Sequence, residues 1–137
     1  MLFRSLILSR EAGLSLELDD VVVENMVPEE CRQASLENFF GCLEKHDAHF
    51  DQLAKEAAAK GCKLRYTAVL ENGKANVSLR AVPAQHAFYS LAGSDNIILL
   101  HTARYLDRPM VIRGPGAGAE VTAAGVFADI IRIGNYA

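Results

Sequence analysis

The sequence predicts an α+β fold in which a mixed, largely antiparallel β-sheet has helices covering one face. Three observations carry that prediction. Apolar residues recur at helical spacing over 2–12 and again over 35–60. The period switches to two between Cys62 and Ala81. An Asn72-Gly73 dipeptide stands in the middle of that alternating stretch, and a run of strands following helices points to segregated layers. With 137 residues, of which 50% are apolar, the chain can bury about two-thirds of its surface without disulfides or metals. No repeat or low-complexity linker divides it, so 1–137 is expected to be a single domain.

In chain order, Leu2, Leu6, Ile7, Leu8 and Ala12 form a helical pattern, and Gly13 stands where a left-handed cap would end it. Val21, Val22 and Val23, between Asp19-Asp20 and Asn25, make a brief β-branched strand that Pro28 closes. Leu36, Phe39, Phe40, Leu43, Phe50, Leu53 and Ala57 trace one long helix, with Ser35 as its cap, Glu37 at the positive end of its dipole and Lys60-Gly61 as its stop. Cys62, Leu64, Tyr66, Ala68 and Leu70 then alternate with polar residues as a strand with one buried face. Asn72-Gly73 predicts a two-residue type I′ turn, where both central residues need positive φ. Ala75, Val77, Leu79 and Ala81 form the returning strand. Residues 97–102 and 110–113 read as further strands, the first apolar enough to be central, giving one sheet of four or five strands. A last helix spans 120–133. It is apolar nearly all round, which implies burial between the sheet and something further, and Gly125 within it implies close packing.

Composition excludes several function classes. Fourteen Lys+Arg against seventeen Asp+Glu give a net charge of −3 with no basic run, which argues against nucleic acid. No apolar stretch approaches the ~20 residues of a membrane span. The first ten residues lack a secretory pattern, so a cytoplasmic location is expected. Cys31, Cys42 and Cys62, an odd number at spacings that match neither a disulfide framework nor a zinc site, are expected to be reduced.

The sharpest chemical feature is the glycine-rich segment 113–122, Arg-Gly-Pro-Gly-Ala-Gly-Ala-Glu-Val-Thr, between a strand and the last helix. Glycines let backbone approach a ligand, and the first amides of the helix have no intrahelical partner and carry partial positive charge. Such a loop suits a phosphate or a polarised amide; the bland alternative is a tight turn with no ligand. Gly114, Gly116 and Ala119 satisfy a loose dinucleotide fingerprint, but the second strand and acidic residue it requires have no room in the remaining sequence. His46 and His49, three apart beside Asp47, could hold a metal, but without cysteine or further histidine nearby they read as a solvated helix face. His86 is isolated, and His101, ending an apolar strand, reads as a buried hydrogen-bonded residue. Asp129 and Arg132 read as an i, i+3 ion pair. No catalytic residue and no metal ligand is expected among these residues.

Several spaced motifs together resemble the C-terminal end of homoserine dehydrogenase. They are Leu6-Ile7-Leu8-Ser9-Arg10-Glu11-Ala12-Gly13, Val27-Pro28-Glu29, Lys63-Leu64-Arg65-Tyr66, Ser90-Leu91-Ala92-Gly93-Ser94-Asp95-Asn96, Thr102-Ala103-Arg104-Tyr105, and the continuous stretch 109–132. The resemblance extends over nearly the whole chain and is nearest the bifunctional enzymes that carry an aspartokinase on the N-terminal side. It implies an oxidoreductase that interconverts aspartate 4-semialdehyde and L-homoserine with NADP or NAD, a step toward threonine, methionine and isoleucine. It further implies that Gly118, with Gly116 beside it, contacts the cofactor, and that the sheet pairs subunits into a homodimer. The resemblance places the family's Rossmann domain, its strand-end lysine, the acidic residues that hold homoserine and the sodium ligands upstream of this stretch, and aligns the family's catalytic lysine with Arg4. Arginine stays charged and is a poor proton-transfer group. Ala87 stands where the family usually has proline. The chain is therefore expected to be the C-terminal portion of the catalytic domain, inactive alone and with no cofactor bound by itself. A non-catalytic dimerisation or regulatory module is the main alternative; a free-standing phosphate-ligand binder, whose binding Gly118→Val would abolish without unfolding, is another.

Overall fold

The computed structural model describes residues 2–136; the side chain of Leu2, counted above in the first helical pattern, lies outside the described residues. Helix α1 (Leu2–Glu11) stops where its sequence says it should. Gly13 adopts φ +83°, its N–H donates to Arg10 O, and the next amide, Leu14, reaches back to Ser9 O at 2.9 Å, the paired closure of a Schellman cap. A short 3₁₀ turn at Leu18–Asp20 leads into β1 (Val21–Val23), the brief strand expected from three consecutive valines. A four-residue helix that the sequence did not announce, α2 (Glu29–Arg32), starts directly after Pro28. Proline ends the extended segment and, with φ −54°, already has the backbone setting from which a helix can begin.

The long helix expected over 35–60 is instead two helices, α3 (Leu36–Glu44) and α4 (Asp47–Ala59). Apolar spacing was continuous across the join, but His46 leaves helical geometry at φ −102°, ψ 4°. The amides of Lys45 and His46 close tight three-residue bonds to Cys42 O and Leu43 O. Side chains on either side of the break are tied to α2, which fixes the change of direction. Ser35 is the N-cap residue, as expected, but its side chain makes no hydrogen bond to the helix amides; its Oγ accepts from Asn38 Nδ2 at 3.1 Å instead. At the other end Gly61 takes φ +65°, the left-handed stop its sequence position implied.

Strands β2 (Cys62–Glu71) and β3 (Lys74–Pro83) form a ten-residue antiparallel ladder from Cys62↔Pro83 to Glu71↔Lys74. Asn72 at φ +51° and Gly73 at +73° make the type I′ turn between them. β1 joins the other edge of β3 in parallel, Val21↔Ala75 to Val23↔Val77, so the order is β1-β3-β2. The register puts Tyr66, Ala68 and Leu70 on the same face as Ala75 and Val77, where Leu6 of α1 and Val21 complete the buried cluster. Helix α4 packs on β2 as well. On the opposite face Arg65 donates from Nε to Phe88 O at 3.0 Å and from Nη2 to Tyr89 O at 2.9 Å, and Lys63 lies over the Tyr89 ring, so the segment after β3 folds back over the sheet. Thr67, paired with Ser78 on that face, is buried with its hydroxyl unpartnered.

The chain divides into two compact units at Tyr89/Ser90. The second holds β4 (Asp95–Leu100), β5 (Met110–Pro115) and α5 (Ala119–Tyr136). The single sheet expected from sequence is instead two sheets: β4 pairs with β5 alone, Asp95↔Pro115 to Leu100↔Met110, and does not extend either open edge of the β1-β3-β2 sheet. β4 is accordingly not a central strand, and it begins two residues earlier than expected, where Asp95 receives the Arg113 guanidinium at 2.9 Å. α5 also departs from expectation. None of its described residues is buried, and Gly125 has open space where a side chain would stand. Its apolar residues, Phe127 and Ile130 among them, stand exposed, and the close packing expected at Gly125 has no partner among the described residues.

Candidate functional site

The glycine-rich segment runs along β5 and turns into α5, and its geometry is set by three neighbouring devices. Arg113 is clamped: Nε donates to Asp95 Oδ2 at 2.9 Å, Nη1 to Ser90 Oγ and Nη2 to Ser90 O, both at 3.3 Å. Gly116 N–H donates to Ser94 O at 3.1 Å, and a Cβ at Gly116 would lie 1.2 Å from Asn96 Nδ2. Gly116 is thus glycine for an internal reason, since the Asn96 amide occupies its side-chain space. Gly118 is different. Its φ of +129° lies outside what L side chains adopt readily, and a Cβ there would meet nothing within 4 Å, so glycine is required by backbone conformation with open space in front of it.

The Gly118 carbonyl starts α5, accepting from both Thr122 N–H at 3.1 Å and Thr122 Oγ1 at 2.9 Å. The amides of Ala119, Glu120 and Val121 precede the first intrahelical bond and are left as outward donors. Glu120 places a carboxylate in that first turn, where it already complements the dipole. A neutral polar acceptor such as a carboxamide oxygen is therefore better matched to this helix start than a second full anion. Beside the loop is an open, mainly apolar cleft of ≈ 240 Å³ lined by Asn96, Ile98, Ile112, Arg113, Gly114 and Pro115. These residues can supply backbone donors and an apolar wall; they bring together no nucleophile with a base. Arg4 is an exposed residue of α1.

The histidines and cysteines do not lie as the sequence suggested. Cys31 and Cys42 are joined by a disulfide with Cα atoms 5.5 Å apart, linking α2 to α3, whereas Cys62 is free. The expectation of three reduced cysteines fails because it rested on linear spacing, and α2 was not foreseen. His46 does have cysteines near it. Its ring nitrogen and the two sulfurs lie within 4.8 Å of one another, and its Nε2 is 2.6 Å from Glu30 Oε1. His49 is an exposed helix residue, and His86 Nδ1 accepts the Phe88 N–H at 3.1 Å. His101 is exposed, not buried, because β4 ends at Leu100 and the chain turns away. Asp129 and Arg132 form the expected ion pair at 3.7 Å. Sequence reasoning missed the Arg113–Asp95 clamp and the Asn96 amide behind Gly116; both belong to motifs quoted for the resemblance, which was the available signal.

Comparison with known proteins agrees with the motifs. The family model for homoserine dehydrogenase matches residues 2–131. A bifunctional aspartokinase/homoserine dehydrogenase 1 of Zea mays, chloroplastic, is 46% identical over 134 residues, covering 96% of this chain and 15% of that protein. The bifunctional aspartokinase/homoserine dehydrogenase 2 of Escherichia coli is 41% identical over 93% of this chain and 16% of its own length. The homoserine dehydrogenase of Schizosaccharomyces pombe is 40% identical over 93% of this chain and 35% of its own length. A crystal structure of a Candida auris protein of unknown function superposes with TM-score 0.83 at 36% identity, covering 95% of this chain and 37% of that one. The chain thus spans about 15% of the bifunctional relatives and about a third of the single-function one. With a family model matched along almost all of its length and relatives at 40–46% identity, the chain belongs to the homoserine dehydrogenase family.

Proposed function

We propose that these residues serve as the C-terminal portion of a homoserine dehydrogenase catalytic domain, 1–137 acting as one domain in the intact enzyme. That enzyme would interconvert aspartate 4-semialdehyde and L-homoserine with NADP or NAD, the bound nicotinamide supplying or accepting the hydride. The observation that carries the reading is Gly118, held at φ +129° with open space before it at the start of a helix whose first amides are unspent. The fit to a nicotinamide end is chemical: the helix start offers N–H donors to a carboxamide, Glu120 disfavours a further phosphate there, and Ile98 and Ile112 offer an apolar wall. In this reading Gly118 contacts the cofactor through its backbone. Gly116, whose side-chain space is taken by Asn96, contributes a neighbouring backbone contact and a fixed loop path, and Arg113 holds that path to Asp95 and Ser90.

Taken alone, the 137 residues are expected to be inactive, because no lysine stands at position 4 and no nucleophile–base pair is assembled. The exposed apolar residues of α5, Phe127, Ile130 and Ile133 among them, are suited to contact with the cofactor domain of the parent enzyme. The family sheet is proposed to pair two subunits. No helix among the described residues is long and apolar enough to cross a membrane, and the proposed location is the cytoplasm, the plant relatives being named chloroplastic. The test is a chimera in which residues 5–137 of this chain replace the matching stretch of the maize relative, whose own residue is kept at position 4. Homoserine-dependent reduction of NAD(P)⁺ by the chimera, with Gly118→Val raising the cofactor KM at least about tenfold, is the expected result. A folded chimera without activity, or a Gly118→Val variant with unchanged cofactor KM, overturns the proposal.

A further inference from the structure

Three loosely related pieces of chain meet at one point of the first unit. Cys31 lies on α2 and is fully buried, Cys42 lies on α3 and is half-buried, and His46 stands at the break before α4 with a quarter of its side chain exposed. Their ligand atoms lie within 4.8 Å of one another. Glu30, next to Cys31, binds His46 Nε2 at 2.6 Å, which leaves Nδ1 as the nitrogen available to an ion. A carboxylate holding the far nitrogen of a histidine is the outer support that zinc-binding histidines ordinarily have, because it fixes the tautomer and the ring orientation.

We propose that Cys31, Cys42 and His46 form a redox-gated site for a thiophilic divalent cation of the zinc class. In the disulfide form both sulfurs are spent on each other and the site is closed. Reduction by a dithiol or by two equivalents of a monothiol returns two Cys–SH groups while the reductant leaves as its disulfide. Binding then releases two protons to solvent, and the ion is held by two thiolates and one neutral imidazole, with water in the fourth position of a tetrahedron. The assembly of a dication and two thiolates is neutral, which suits a site whose inner cysteine is buried. Tetrahedral ligands at ≈ 2.3 Å for sulfur and ≈ 2.0–2.1 Å for nitrogen are roughly 3.5–3.8 Å apart. Opening the S–S bond and drawing onto the ion the His46 ring, a nitrogen of which already lies within 4.8 Å of both sulfurs, reaches that geometry with the two Cα atoms near their present 5.5 Å. Thiolate plus imidazole selects zinc-class ions over magnesium or calcium. The same pair of helices would be held by a covalent bond in oxidising surroundings and by a metal in reducing ones. This inference is independent of the dehydrogenase reading.

Cobalt(II) is the probe, because thiolate-to-cobalt charge transfer gives a near-ultraviolet band that counts bound sulfur. The purified protein, reduced with a phosphine and then titrated with Co²⁺, is expected to take up one ion per chain with that band, and added Zn²⁺ is expected to erase it. The disulfide form, identified by an intact mass lower by two hydrogens, is expected to show no band. His46→Ala keeps both cysteines and is expected to weaken binding more than tenfold. Glu30→Gln is expected to weaken it by about 10- to 100-fold, and Cys62→Ser to change nothing. Cys31→Ser is expected to lose the band; should that variant fail to fold by circular dichroism, His46→Ala carries the test. No band in the reduced protein, an equal band in the disulfide form, or binding unaffected by His46→Ala overturns the proposal.

Discussion

The two halves of this chain are built to different standards of self-sufficiency. Up to Tyr89, two helices lie on one face of a three-stranded sheet, and Leu6, Val21, Ala75 and Val77 are buried together. From Ser90 on, a two-stranded ribbon and an 18-residue helix contain no buried residue among those described, although Phe127, Ile130, Ile131 and Ile133 are as apolar as anything in the first core. A two-stranded hairpin is marginal in water without a layer against it. Apolar content alone therefore does not make a core; the surface it meets does. The second half is where the glycine loop lies, and its apolar residues are the ones left exposed.

The comparison can be broken most easily at Val77, which is 2% exposed. Val77→Ala is expected to destabilise the first unit by about 2 kcal/mol, the cost of a lost buried group and its cavity, read from urea unfolding. A loss below about 0.5 kcal/mol would mean the core is not where we place it. Gly73→Ala follows. Nothing lies within 4 Å of the added methyl, so the expected cost of about 1 kcal/mol is purely that of a left-handed backbone, and a larger value would reveal a contact the structure lacks. Thr67→Val goes the other way. Its hydroxyl is buried without a partner, so removing it is expected to stabilise by about 1 kcal/mol; destabilisation would point to an internal water. The smallest effect belongs to the second half. Ile130, 59% exposed, should tolerate alanine within about 0.5 kcal/mol in the isolated chain, while hydrogen exchange should show α5 amides opening far more readily than those of β2 and β3.

Much of the first half was legible because local chemistry and packing agree there. Gly13, Gly61 and Asn72-Gly73 each occupy the positive-φ position their neighbours implied; the period of two along 62–81 located the face of Ala75 and Val77, but the expectation of one buried face fails, since Thr67, Ser78 and Val82 are buried on the other. What escaped were decisions made by tertiary contacts. The helix break at His46 depends on α2, an element too short to show periodicity, and the Cys31–Cys42 bond depends on that same helix. β4 reads as a central strand because an apolar run does not say what covers it. At the candidate site, Gly116 and Gly118 look equivalent in sequence, yet one makes room for Asn96 and the other serves its own backbone. The family resemblance supplied what periodicity could not, since the motifs around 90–96 and 109–132 mark the clamp and the loop together.

Homoserine-dependent reduction of NAD(P)⁺ by the purified 137-residue chain, at high protein concentration with an intact-mass check, tests the central claim most directly. No turnover is the predicted result, since the chemistry is assigned to residues this stretch does not contain. Turnover at an ordinary enzymatic rate would contradict it, and would mean that residues described here as structural assemble a complete active site.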